Sequence, residues 1–178
     1  MIKKKVVKCI FTIALIMSFL CNLFLINHLN KAYKEIDATL SEKISDLCSE
    51  MDSIEALTLS YDNTLSEQNL KKIGNQLYEN CYDKAAEISQ YKSLSMAYSA
   101  LDFGDFQGFI FEFVTLQPDL NEEEILELKN SILDLCVLFK SLHIPSNYNF
   151  RKDSKELTAK LEAISTFCLK FCIKQKES

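Results

Sequence analysis

Glycine, proline and tryptophan are scarce in this sequence. Its 178 residues include 3 Gly, 2 Pro and no Trp. Tight turns, hairpins and phosphate-binding loops depend on glycine and proline, so the composition favours long helices over sheets. A chain of this length corresponds to one domain, or one domain with an appendage, and it is long enough to bury a core.

The sequence also lacks the short motifs of common active sites. It contains no H-E-x-x-H, no G-x-S-x-G, no Walker loop and no dinucleotide fingerprint. Its two histidines, His28 and His143, have no nucleophile or carboxylate at a catalytic spacing. The glutamates at 122–124 belong to the first turn of a predicted helix, where the helix dipole favours them. We therefore predict no catalytic residue, no cofactor and no enzymatic activity.

Acidic residues are absent from the start of the chain, so the net charge of −5 hides an asymmetry. Every acidic residue follows the apolar run that begins at Cys9, and four lysines precede that run: Lys3, Lys4, Lys5 and Lys8. Removing these four from the 20 basic residues leaves 16 against 25 acidic ones, a charge of −9. Nucleic-acid binding needs clustered basic residues, so we predict no nucleic-acid partner. The same acidic excess argues against docking of this part on anionic lipid.

An uncharged apolar stretch, CIFTIALIMSFLCNLFLI, runs from Cys9 to Ile26. As a helix it would reach about 27 Å, close to the hydrocarbon thickness of about 30 Å. The four residues that follow it form no small-residue cleavage site, and the side chains before Cys21 are too bulky for a lipidation box. We predict an uncleaved transmembrane signal anchor over residues 9–27. A cleaved signal peptide is the alternative.

The distribution of lysines around this stretch predicts its orientation. Four lysines lie before it and two, Lys31 and Lys34, lie shortly after it. By the positive-inside rule the N-terminus is cytoplasmic. We therefore predict a cytoplasmic basic tail over residues 1–8 and an extracytoplasmic domain over 28–178, held at the cytoplasmic membrane by a single span.

Apolar residues recur at helical spacing through this domain and predict five helices. The first continues from the anchor and has its apolar positions between Tyr33 and Ile54. The second spans Leu70 to Ile88, after a polar turn near residues 62–64, and Ser66 is its expected N-cap. Short connections between helices favour an up-and-down bundle, so the predicted class is all-α.

The last two helices have the clearest local signals. Asn121 and Glu124 have the spacing of a capping box, with Leu120 placed to staple the helix start. Pro145 is expected to end this fourth helix. The fifth helix is expected to begin at Asp153 or Ser154, after a polar loop.

The third segment, 94–116, is apolar on most sides, which is typical of a central helix or of a helix that contacts a partner. Gly104 and Gly108 would let another helix approach closely, although the poor helix propensity of glycine makes a break there the alternative. Four aromatic residues of this segment form the predicted partner surface: Phe103, Phe106, Phe109 and Phe111. The alternative is that the segment is buried on all sides.

Cysteine is frequent, with seven in the chain, two of them in the apolar stretch. The five in the predicted domain are expected to be buried small hydrophobic residues, and one disulfide between helices is the alternative. Cys168 and Cys172 lie one helical turn apart and have the spacing to share a metal. No histidine is near them and no second cysteine pair accompanies them, so we predict no metal site.

The order of these features resembles the N-terminal region of the spore germination protein YpeB family of endospore-forming bacteria. After the basic start and anchor, the matching parts are NKAYKEIDATLSEKI, TLSEQNLKKIGNQLYENCYDKAAEISQ, SMAYSALDFGDFQ and LNEEEILELKNSILDLCVLF. The resemblance covers most of the chain. In that family the helical region precedes C-terminal domains of the PepSY type, and this sequence ends near the point where they would begin. No functional residue carries over, because the matching motifs are packing patterns.

The resemblance implies a protein of the developing spore's membrane that supports a cortex-lytic enzyme. We therefore predict a non-enzymatic, membrane-anchored interaction or scaffold protein of sporulation or germination. Its expected partners are the membrane and a protein, with a cell-wall lytic enzyme implied by the resemblance. The alternative is an extracytoplasmic helical sensory or ligand-binding domain.

Overall fold

A computed structural model describes the backbone of residues 2–61, 66–115, 120–145, 148–152 and 154–177. These residues form helices and contain no strand. The predicted all-α class is therefore confirmed for the described part of the chain.

The first helix, α1, runs without a break from Ile2 to Ser60. At about 1.5 Å per residue its 59 residues extend over about 89 Å. The prediction that the apolar N-terminal helix continues into the domain is confirmed, and the boundary predicted at residues 27–28 lies inside α1. The turn predicted near 62–64 lies outside the described residues.

The other helices divide the rest of the chain as follows: α2 Glu67–Leu77, α3 Asp83–Ser89, α4 Gly104–Val114, α5 Glu122–Ser141 and α6 Ser154–Glu177. A single π-helical segment, Tyr78–Tyr82, joins α2 to α3. Because α2 and α3 are therefore one continuous helix, the described residues contain the five long helical units that the periodicity predicted.

The capping predictions can be checked atom by atom. The Ser66 hydroxyl accepts a hydrogen bond from the Asn69 amide at 3.4 Å, as an N-cap does. Asn121 Oδ1 accepts from the Glu124 amide at 3.0 Å, and Glu124 Oε2 accepts from the Asn121 amide at 2.8 Å. The predicted capping box is confirmed. Of the two caps predicted for α6, Asp153 lies outside the described residues, and α6 begins at Ser154.

The third predicted helix is shorter than the apolar pattern suggested. Regular α-helix begins only at Gly104, after two short 3₁₀ segments, Gln90–Ser93 and Met96–Tyr98. The Asp102 carboxylate accepts from the Gly104 amide at 3.1 Å, a local bond that competes with a continuing helix. The break at a glycine is therefore correct for Gly104, whereas Gly108 lies inside α4.

Ion pairs show that α1 packs antiparallel to α3. Lys43 of α1 pairs with Glu87 of α3, and Glu50 of α1 pairs with Lys84 of α3. The nitrogen–oxygen distance is 2.5 Å in both pairs. On the other side, the Cys136 thiol of α5 donates to the Met51 carbonyl at 3.5 Å. Later positions of α1 thus meet earlier positions of α3.

Helices α4 and α6 run parallel to each other. Ser165 of α6 donates a hydrogen bond to Asp105 near the start of α4, and the Phe171 ring lies 6.4 Å from Phe113 near its end. The described contacts thus give a parallel α4–α6 pair beside the antiparallel α1–α3 pair.

Aromatic rings fill the interior between α4, α5 and α6. The Phe106 and Phe139 ring centroids lie 4.8 Å apart, and those of Phe109 and Phe171 lie 4.5 Å apart. A further close approach occurs at Gly74 of α2, where a Cβ atom would stand 3.1 Å from the Phe113 ring. The sequence predicted close helix approach at Gly104 and Gly108 instead of Gly74. Residue spacing within one helix does not show which position a neighbouring helix crosses.

Candidate membrane anchor and contact surfaces

The N-terminal part of α1 is apolar and uncovered. Among the described residues α1 is the one helix long and apolar enough to cross a membrane, and its best 18-residue window has a mean hydropathy of 1.8 and no buried residue. Every described side chain from Phe11 to Ala32 is exposed, including Phe24 at 74%. The same helix becomes a core element further on, where Leu40, Ile44 and Leu47 are fully buried.

The four phenylalanines predicted as a partner surface lie in two different environments. Phe103, Phe106 and Phe109 are buried, with 2%, 1% and 0% of their surface exposed, whereas Phe111 is 57% exposed. The predicted surface is therefore corrected, because three of its members are core residues. Helices α2, α3 and α6 pack against α4, and the rings of Phe103 and Phe106 lie beside Phe139 of α5. Phe111 keeps an outward position.

Phe111 is exposed on α4, three residues after Gly108, where α4 approaches α6 closely. A Cβ atom at Gly108, one turn earlier, would stand 3.9 Å from the Cys172 sulfur, which shows how closely the two helices approach there. Leu169 and Ile173 of α6 flank Cys172 in sequence and are 46% and 56% exposed. We call Phe111, Leu169 and Ile173 the α4–α6 outer face. The sequence did not indicate Leu169 and Ile173 as surface contacts, because they fall outside the apolar stripe of α6.

A groove of about 300 Å³ separates the first turns of α5 from the last turns of α6. Leu128 and Phe171 lie on its apolar floor, while an ion pair between Glu127 and Lys174 joins the two helices at its rim. Lys170 also lines it. An apolar floor with a few charged groups is typical of small-molecule sites, so the alternative function of ligand binding would be located here.

None of the six cysteines whose side chains the structure describes forms a disulfide, and Cys81, Cys136 and Cys168 are buried. The prediction that domain cysteines serve as small core residues is confirmed for these three, while Cys48 and Cys172 are partly exposed. Burial raises the pKa of the Cys81 and Cys136 thiols to about 12, which keeps them neutral and poorly nucleophilic. No group of three or more metal-ligating side chains occurs among the described residues.

The histidines and the glutamate run lie at helix surfaces. His28 stacks on Phe24 along the exposed part of α1, with ring centroids 6.3 Å apart, and His143 is exposed after the end of α5. Glu124 is held by the capping box. The glutamate run lies in the first turn of α5, as the sequence predicted.

One end of the bundle lies nearest the apolar part of α1. It is formed by α1 residues 31–37, the 90–103 connection and the loop 148–152, and we call it the basal end. The Tyr98 hydroxyl donates to the buried Asp37 carboxylate at 2.8 Å. Burial and this hydrogen bond raise the pKa of Tyr98 well above its ordinary value. The Arg151 guanidinium lies over the Tyr33 ring at 4.5 Å, so both connections are fixed to α1.

Comparison with known proteins identifies no relative: no protein-family model, no curated protein and no solved structure matches this chain. The resemblance to the YpeB family therefore stays a prediction, as do the sporulation setting and the cortex-lytic partner that it implies.

Proposed function

We propose that this chain is a membrane-tethered, non-enzymatic interaction protein whose helical bundle acts outside the cytoplasmic membrane. The observation that carries the proposal is the uncovered apolar part of α1, which continues without a break into the buried core. An apolar surface of this extent is unfavourable in water, whereas its length suits the hydrocarbon layer of a bilayer.

The lysine asymmetry supports the orientation. Four lysines precede the span and two follow it closely, which favours a cytoplasmic N-terminus and an outward bundle. Because α1 is one helix, the bundle is connected to the span by rigid structure instead of a flexible linker. From Asn27 to Leu40 this connection measures about 20 Å. Such a protein presents its surface at a fixed distance from the span, which suits a scaffold.

The α4–α6 outer face is the surface we propose for the protein partner. Phe111, Leu169 and Ile173 are all large, apolar and about half exposed, and aromatic residues at such positions often dominate contact energies. The resemblance stated above supports a cortex-lytic enzyme as that partner and the developing spore's membrane as the location.

Replacing Phe111 by Ser tests this surface. We expect the variant to stay folded, because the side chain is exposed, and to lose most of the partner that wild-type protein retains after chemical crosslinking in its native membrane. The measurement is the amount of each crosslinked adduct per folded molecule.

Val137→Ser is the matched control, since Val137 is an equally exposed apolar residue on α5, at 60%. It should retain the partner. Equal retention by Phe111→Ser, Val137→Ser and wild type would refute the α4–α6 outer face as the contact.

A further inference from the structure

Basic side chains cluster at the basal end from two distant parts of the sequence. Lys31 and Lys34 are exposed on α1, and Arg151 and Lys152 are exposed in the loop 148–152. The contact of Arg151 with the Tyr33 ring places this loop beside the two α1 lysines. The fold therefore assembles four cations next to the point where α1 leaves its apolar stretch.

Acidic side chains do not cancel this cluster. Asp37 is buried and accepts from Tyr98, and Asp102 is paired with Lys92 at 2.6 Å. Glu35 is the exposed carboxylate among α1 residues 31–37. The acidic excess after the N-terminal lysines predicted that this part of the chain does not dock on anionic lipid. At the basal end, however, the exposed charges are mostly basic.

The same end also exposes apolar side chains. Met96 is 94% exposed, the highest value of any large apolar residue in the described part of the chain, and Leu94 is 56% exposed. Two residues later, Tyr98 is fully buried and bonded to Asp37. The connection is thus anchored to α1 while Met96 projects into solvent.

Geometry brings these residues within reach of a bilayer. An upright α1 rises about 15 Å between Asn27 and Asp37. The headgroup layer of one leaflet is roughly 5–8 Å thick, about half of that rise. Membrane-spanning helices tilt by about 20° on average, which lowers one side of an attached domain toward the lipid. The tether also keeps the basal end at high effective concentration near that surface.

We propose that the basal end docks on anionic phospholipid headgroups of the membrane that α1 enters. This rests on the proposed membrane tether. Lys31, Lys34, Arg151 and Lys152 meet the lipid phosphates, and Met96 with Leu94 inserts between headgroups. Cations combined with a few apolar side chains are the composition of interfacial membrane contacts. Docking would fix the tilt of the span and the direction of the α4–α6 outer face.

The absence of native tryptophan makes a direct test available. Full-length chain carrying Met96→Trp would be reconstituted in phosphatidylcholine vesicles with about a third phosphatidylglycerol, with and without brominated acyl chains. We expect Trp emission to shift to the blue and to lose at least half its intensity with the brominated lipid. Ile173→Trp, at an exposed apolar position on the opposite end of the bundle, is the control and should be unquenched.

Anionic lipid and basic residues should both be required. Each basic side chain near an anionic surface contributes about fivefold to binding. Quenching should therefore fall by more than half in phosphatidylcholine alone, or when Lys34→Gln and Lys152→Gln are added. Equal quenching in both lipids would overturn the assignment to anionic headgroups.

Three other results would overturn the proposal in distinguishable ways. If the Met96→Trp chain floats with the vesicles and resists alkaline extraction, yet is no more quenched than Ile173→Trp, the docking fails and the tether stands. Shielding of this Trp in native membranes alone would show that a protein covers the basal end instead. A chain that does not float with vesicles would overturn the tether and the docking together.

Discussion

Replacing Phe109 by Ala is expected to lower the free energy of unfolding by about 3–5 kcal/mol. The Phe109 side chain is fully buried, with its ring 4.5 Å from that of Phe171 and 5.9 Å from that of Phe113. Truncation would leave a void between α4 and α6 and remove contacts on both helices. Denaturant unfolding of the full-length chain in detergent, followed by circular dichroism, measures the change.

Phe111→Ala provides the matched control on the same helix. Its side chain is more than half exposed, so its free energy of unfolding should differ from wild type by about 0.5 kcal/mol or less. Equal losses for the two variants would contradict the central position of α4 in the bundle.

Placing two arginines in the apolar stretch, Leu15→Arg and Leu20→Arg, is expected to abolish stable membrane insertion. Each arginine at the centre of a spanning helix costs about 2.5–3.5 kcal/mol, so the pair removes about 5–7 kcal/mol. Both side chains are exposed and contact no part of the bundle, so the domain should remain folded. The measurement is the fraction of protein that resists alkaline extraction from membranes.

Leu15→Val with Leu20→Val is the control for the arginine pair, and it should stay in the membrane fraction. If the arginine variant is extracted no more readily than the valine variant, the apolar part of α1 is not the membrane anchor.

Much of the fold follows from local sequence signals. Asn121 and Glu124 lie three residues apart, so their capping box depends on neighbouring residues alone and was predictable. The continuity of α1 was predictable for a similar reason, since the apolar positions after the anchor keep a regular helical spacing and no proline or glycine interrupts them.

The contact surfaces depend on tertiary packing and could not be predicted in the same way. Segment 103–114 is apolar on most sides, so its periodicity could not show that Phe109 is buried while Phe111 is exposed. The basal end joins residues 61 positions apart, as in the bond between Asp37 and Tyr98. No spacing within one helix indicates such a contact.

The proposed function depends on the bundle lying outside the cytoplasm, held there by α1. The most direct measurement fuses a reporter enzyme, active only outside the cytoplasm, after Ser178, and compares it with a cytoplasm-only reporter at the same position. The account predicts full activity of the first reporter and silence of the second. The reverse pattern, with both fusions well expressed, would contradict the orientation and the proposed function together.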